Sequence, residues 1–232
     1  MRQIVLDTET TGLEVGKGHR IIEIGAVELS ERRPTGRKFH RYINPQRAID
    51  NGALAVHGIN NDFLADKPTF ADVARELLDF ITGAELIIHN AAFDVSFLDA
   101  ELALADALFG RVADHSQVLD TLTLAREKYP GQKNSLDALC KRLNVDNSHR
   151  ELHGALLDAQ LLADVYLAMT GGQGDLAFAG DVSQVPRALP SAARPMLRVR
   201  LAHGGDLDLH EMRLARLDEI SKGRCLWRLA VN

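Results

Sequence analysis

The chain has 232 residues, 46% of them hydrophobic and 25% charged, with a net charge of −5. That is enough apolar material for one domain of ordinary size plus a small appendage, and it excludes a wholly disordered chain. No run approaches the roughly 18 uninterrupted apolar residues of a membrane span, and the start, MRQIVLDTE, has no apolar signal-peptide core. Two cysteines, Cys140 and Cys225, are too few for a disulfide framework, so the expected compartment is the cytoplasm.

Charge is unevenly spread. Residues 181–232 hold 9 Lys and Arg against 6 Asp and Glu, whereas residues 1–180 hold 18 against 26, a net of −8. An acidic body does not suit a passive nucleic-acid binder, which neutralises phosphates with Lys and Arg. Contact between this body and nucleic acid requires bridging cations.

In chain order, Ile4–Leu6 reads as a short buried strand ending at Asp7 and Glu9. Arg20–Leu29 and Lys38–Ile43 follow as two more strands of a meander. Thr69 caps a helix running to about Gly83, and Glu85–His89 is a further apolar strand. A helix spans about Phe93–Ala105, and Val118-Leu119 is a brief strand before a helix that stops at Pro130-Gly131. Asn134 or Ser135 caps SLDALCKRL, and a last large helix covers about Glu151–Met169, ended by Gly171-Gly172. Early strands followed by alternating helices and strands predict an α/β fold, a mixed central sheet flanked by helices. The expected domain covers 1–172, and 173–195 has the Pro-containing, small-residue composition of a flexible linker. Residues 196–232 form a small module, with Leu197, Val199 and Leu201 alternating as a strand and Leu209, Met212, Leu217 and Ile220 at helical spacing.

Four acids carry the chemistry. Residues two apart on a strand share a face, so Asp7 and Glu9 present two carboxylates to one spot. Asp94 sits in the first turn of the helix after the second apolar strand, and Asp158 interrupts the apolar helix HGALLDAQLLADVYLA. Carboxylates brought within a few ångströms cannot all stay ionised unaided. Hard divalent cations, Mg²⁺ or Mn²⁺, resolve the repulsion, and two of them about 3.5–4 Å apart form a clamp for attack at phosphorus. His153, five residues before Asp158, falls at the start of that helix and is placed to act as a general base over the acids. Two other patterns lead nowhere: GLEVGKG lacks the spacing and the Ser or Thr of a phosphate loop, and no HExxH zinc motif occurs.

DTETTGL, HNAAFDVSFLDAEL and HGALLD resemble the three motifs of the DEDD 3′–5′ exonucleases, which have an RNase H-like fold. The H-x4-D spacing of the third is that of the histidine subclass. The resemblance implies metal binding by Asp7, Glu9, Asp94 and Asp158, with His153 as general base. IIEIGAVE, VHGI, KPTF, NSLDALC, LLDAQLLADVYLAMTGGQ and GRCLWR are further similar to the epsilon subunits of bacterial DNA polymerase III, which are proofreading exonucleases. That likeness spans nearly the whole chain. It implies a nucleotide pocket in which Gly52 and His57 join Asp7, Glu9 and Asp158 in contacting the terminal nucleotide. It also implies a sliding-clamp motif at Gln173, Leu176 and Phe178, and a C-terminal module that tethers the chain to the polymerase alpha subunit, with Trp227 as an apolar anchor. The implied substrate is a single-stranded or frayed DNA 3′ end. Two other readings stay open at this point. One is a free-standing or RNA-trimming nuclease of the same family, and the other a non-catalytic bridge between polymerase and clamp.

Overall fold

The computed structural model describes residues 1–148, 152–171, 203–225 and 227. Its elements are β1 (Arg2–Thr10), β2 (Ile21–Ser30), β3 (Arg33–Tyr42), α1 (Asn51–His57), α2 (Asn61–Leu64), α3 (Phe70–Ile81), β4 (Glu85–Ile88), α4 (Ala91–Ala105), α5 (Val112–His115), β5 (Gln117–Asp120), α6 (Thr121–Lys128), α7 (Leu136–Leu143), α8 (Ala155–Thr170) and α9 (Gly204–Ile220). The chain divides into two compact units, Met1–Asp175 and Leu176–Asn232.

In the first unit one five-stranded sheet has the order β3-β2-β1-β4-β5. The antiparallel meander β1-β2-β3 is extended by β4 and β5, both parallel to β1. Alternation along β1 sets the two layers. Ile4 and Leu6 enter one core with Phe70, Leu77, Phe97 and Leu102 of α3 and α4, and Val5 enters the other with Ile87, Leu162 and Tyr166 of β4 and α8. Odd positions of β1 therefore face α8 and even ones face α3 and α4. α3 starts with a local box, Thr69 N and Oγ1 both donating to Asp72 Oδ2, at 2.8 and 2.6 Å.

Several expectations need correction. β1 is longer than the short strand expected and runs on to Thr10, because β2 pairs with it through Glu9 and Thr10, and Asp7 and Glu9 fall at its C-terminal end as expected. The last pairing of β1 with β4 is Val5 with Ile87. The two carboxylates thus overhang the end of β4, in the space beyond the carboxyl ends of the parallel strands where open α/β sheets hold ligands. Residues 51–64 contain two short helices, α1 and α2, that their weak periodicity did not predict. Of the two residues expected to cap α7, Ser135 does so, its Oγ accepting from Ala138 N. α8 begins at Ala155 and not near Glu151, leaving His153 in the segment before the helix. The strand expected at 197–201, the linker and the clamp residues Gln173, Leu176 and Phe178 lie outside the described residues.

In the second unit α9 has no buried residue; Leu207, Leu209, Met212, Leu217 and Ile220 are all exposed, as is Trp227 at 75%. Among the described residues no helix is long and apolar enough to cross a membrane.

Candidate active site

Beyond the end of β4 lies a cleft of about 660 Å³, lined among others by Asp7, Glu9, Asp94, His153 and Asp158. The sheet parity explains how they arrive. Asp7 and Glu9 are odd residues of β1 and face α8, where they stand opposite Gly25 and Glu23 of β2. Gly25 is required there: a Cβ would come within 2.1 Å of Leu156 N, so the first turn of α8 rests directly on the β2 backbone. That contact delivers Asp158, in the same first turn, to the carboxylates of β1. His153 is held just upstream, its amide donating to Val56 O of α1 at 3.1 Å.

Glu9, His153 and Asp158 each bring a ligand atom to within 4.8 Å of the other two. His153 Nδ1 lies 3.2 Å from Asp158 Oδ2; the carboxylate is 4% exposed and the imidazole 43%. Asp7 and Asp94 line the same cleft but do not join that close group. Asp94 comes from the opposite layer. Asn90, with φ of 64°, takes the left-handed turn between β4 and α4 that an Asn tolerates, and its amide donates to Asp120 Oδ1. One turn later Asp94 Oδ1 accepts both Thr8 N at 3.1 Å and Thr8 Oγ1 at 2.6 Å. Thr8, an even residue of β1, is the functional neighbour that motif reading passed over; the same parity that pairs Asp7 with Glu9 points Thr8 at α4.

Burial raises the Asp94 carboxyl to about 7, with the Thr8 hydrogen bonds opposing and Asp120 adding to the rise. An oxygen-only set of four carboxylates, of which Asp94 and Asp158 are buried and Asp94 resists ionisation, suits a hard divalent cation, which favours the charged form.

A smaller cavity of about 480 Å³ meets the cleft at Thr8, Glu9 and Phe93 and extends to Gly52, Val56 and His57. Gly52 has open space where a Cβ would stand, so it offers backbone alone. His57 is buried, and Nδ1 accepts from Ile59 N at 3.0 Å, which leaves the proton on Nε2. Burial pushes this imidazole down, against the nearby Thr10 backbone. Nε2 itself has no hydrogen bond of ordinary geometry among the described residues.

A family profile described as "Exonuclease" matches residues 4–166. The DNA polymerase III subunit epsilon of Escherichia coli (strain K12) is 53% identical, across 98% of this chain and 97% of the relative. That of Pasteurella multocida is 51% identical, across 97% and 93%. The chain belongs to the epsilon-subunit family of DNA polymerase III. This is the family to which IIEIGAVE, VHGI, KPTF and GRCLWR pointed, and its activity class, to which the three motifs pointed, is that of a metal-dependent 3′–5′ exonuclease. Among solved structures, Exonuclease X in complex with 5′ overhanging duplex DNA is 27% identical with a TM-score of 0.59, covering 74% of this chain and 93% of that one. The nuclease domain of 3′hExo bound to rAMP, 20% identical with a TM-score of 0.63 over 73% and 92%, shares the fold. The α/β, RNase H-like architecture expected from sequence is therefore the one found.

Proposed function

We propose that this epsilon-family chain is the proofreading subunit of a replicative DNA polymerase, removing mispaired nucleotides from a primer 3′ end and releasing 5′-monophosphates. The observation that carries the reading is the convergence of Glu9, His153 and Asp158 within 4.8 Å, in a cleft that Asp7 and Asp94 also line. Two divalent cations, Mg²⁺ or Mn²⁺, would be held by Asp7, Glu9, Asp94 and Asp158. When bound they supply charge neutralisation of the phosphodiester and activation of water.

The chain's own groups divide the remaining work. With Nδ1 against Asp158 Oδ2, the His153 imidazole is fixed as the Nδ1–H tautomer, so Nε2 accepts a proton from the attacking water. Asp158 then stabilises the imidazolium that forms. His57 offers its Nε2–H, and Gly52 its backbone, to the terminal nucleotide in the smaller cavity, with Asp7, Glu9 and Asp158 bordering the scissile phosphate. A mispaired end frays and enters a single-strand site more readily than a paired one, so errors are selected without base readout.

The C-terminal unit tethers the enzyme. Exposed Leu209, Met212 and Ile220 on α9, together with exposed Trp227, give an apolar surface suited to the polymerase alpha subunit. Gln173, Leu176 and Phe178 dock on the sliding clamp as a short peptide. Tethering raises the effective concentration of the site at the primer end, and such a subunit works in the cytoplasm.

The test is digestion of single-stranded DNA and RNA of one sequence by the purified chain in Mg²⁺, beside an Asp7→Ala/Glu9→Ala double variant. Metal-dependent loss of DNA from the 3′ end, absent in the variant, is expected. Preference for RNA would move the reading to a trimming nuclease, and inactivity on both to a polymerase–clamp bridge.

A further inference from the structure

The two cavities give the cleft a direction. If the smaller one takes the terminal nucleotide, the scissile phosphate lies at the acids where the cavities meet. The rest of the strand must then leave along the far wall of the cleft, built by α6 and the segment leading into α7. That wall carries Arg126, the sole Lys or Arg among the described residues lining the cleft, which Gln132 and Ser135 also line. Leu122 and Arg126 are one turn apart on α6 and line the cleft together. The guanidinium lies close enough to His89, at the end of β4, for its charge to bear on that imidazole.

Arg126 stands in the cleft with its charge unused. Its side chain makes no hydrogen bond or ion pair among the described residues. Arg20 is locked to Glu101, Arg41 to Glu76, and Arg142, on the neighbouring α7, to Asn134 Oδ1 and Lys133 O. An exposed guanidinium left without a partner among the described residues, in a cleft that five carboxylates also line (Asp7, Glu9, Asp94, Asp137 and Asp158), is available to a ligand that arrives, and the ligand it suits is an anion. Cations held by the acids neutralise the scissile phosphate only; the phosphates behind it face a wall that would otherwise repel them. A guanidinium fork matches a phosphate in a way an ammonium does not, and the exposed Gln132 amide, which lines the same cleft, adds neutral donors.

We propose that Arg126, with Gln132, forms a phosphate subsite for the nucleotide on the 5′ side of the scissile bond, anchoring the strand that remains after each cleavage. The proposal rests on the exonuclease reading above and adds a binding contact to it, not a catalytic one.

The experiment compares the full-length chain with Arg126→Ala and Arg126→Lys in Mg²⁺ on two substrates. One is a single-stranded decathymidylate. The other is the p-nitrophenyl ester of thymidine 5′-monophosphate, which carries no phosphate beyond the scissile one. For Arg126→Ala the loss in kcat/KM on the oligonucleotide should exceed that on the ester by about five- to twentyfold, mainly through KM. The slope of log kcat/KM against log salt should fall by about 0.7, the share of one phosphate contact on a single strand. Arg126→Lys should keep that slope and recover part of the affinity. Equal losses on both substrates, or an unchanged salt slope, would overturn the subsite. A wild-type chain inactive on both substrates would instead remove the exonuclease reading, and the subsite with it.

Discussion

Glu23, on β2, holds the start of α8: its Oε2 accepts a hydrogen bond from Ala155 N at 3.1 Å, while Oε1 lies 2.7 Å from His40 Nε2. Gly154, the N-cap residue, has no side chain to do this, so a carboxylate 132 positions away in sequence caps the helix that carries Asp158. Such a carboxylate also favours the positive end of the helix dipole. Glu23→Ala should cost about 1–3 kcal/mol and lower kcat more than it raises KM, since Asp158 and His153 lose their register. Glu23→Gln keeps an acceptor oxygen and should recover most of both. Thermal unfolding and single-turnover digestion check the pair.

His153 is tested by its tautomer. His153→Gln removes the acceptor nitrogen and should slow hydrolysis by about 10²–10⁴-fold, with the divalent-cation thermal shift largely retained because the four acids are intact. Asp158→Asn should lose both. Rates measured alongside melting curves in Mg²⁺ and in EDTA separate the two roles.

Asp94 makes the cation-free protein pH-sensitive. Its carboxyl, at about 7 when folded, titrates near 3.9 when unfolded. The stability this group contributes is full below the unfolded value and is lost as pH rises through about 7. Asp94→Asn keeps an oxygen for both Thr8 donors and removes the buried charge. In EDTA at pH 8 its melting temperature should therefore exceed that of wild type by a few degrees, while activity disappears. The stabilisation of wild type by Mg²⁺ should grow between pH 5.5 and pH 8. A variant that melts lower at pH 8 would contradict the assignment.

The exposed apolar residues of the second unit predict where the polymerase holds on. Trp227→Ala and a Leu209→Ser/Met212→Ser pair should each weaken binding to the alpha subunit, by about 2 kcal/mol or more for the tryptophan. Exonuclease activity on free single-stranded DNA should be unchanged, because the four acids and His153 are intact. Binding isotherms with purified alpha subunit measure the first, and digestion rates the second.

Much of this could be read from the sequence alone. The acids declared themselves because a strand period of two and a lone Asp on an apolar helix are local patterns, and the order of strands and helices follows from hydrophobic periodicity. What the sequence could not decide is which long-range contacts bring those patterns together. That β1 overhangs β4 depends on pairing register. That Asp94 reaches Thr8 from the opposite layer, while Glu9, His153 and Asp158 close up on the other, depends on which face each helix covers. α1, too short and weakly patterned to predict, nonetheless ties down His153 through Val56. Glu23, an unremarked acid within a strand, becomes the cap of α8, and Arg126, one arginine among many, becomes an unpaired cation in the cleft among the described residues. Local propensity fixes what an element is, whereas packing between residues distant in sequence fixes what each side chain meets.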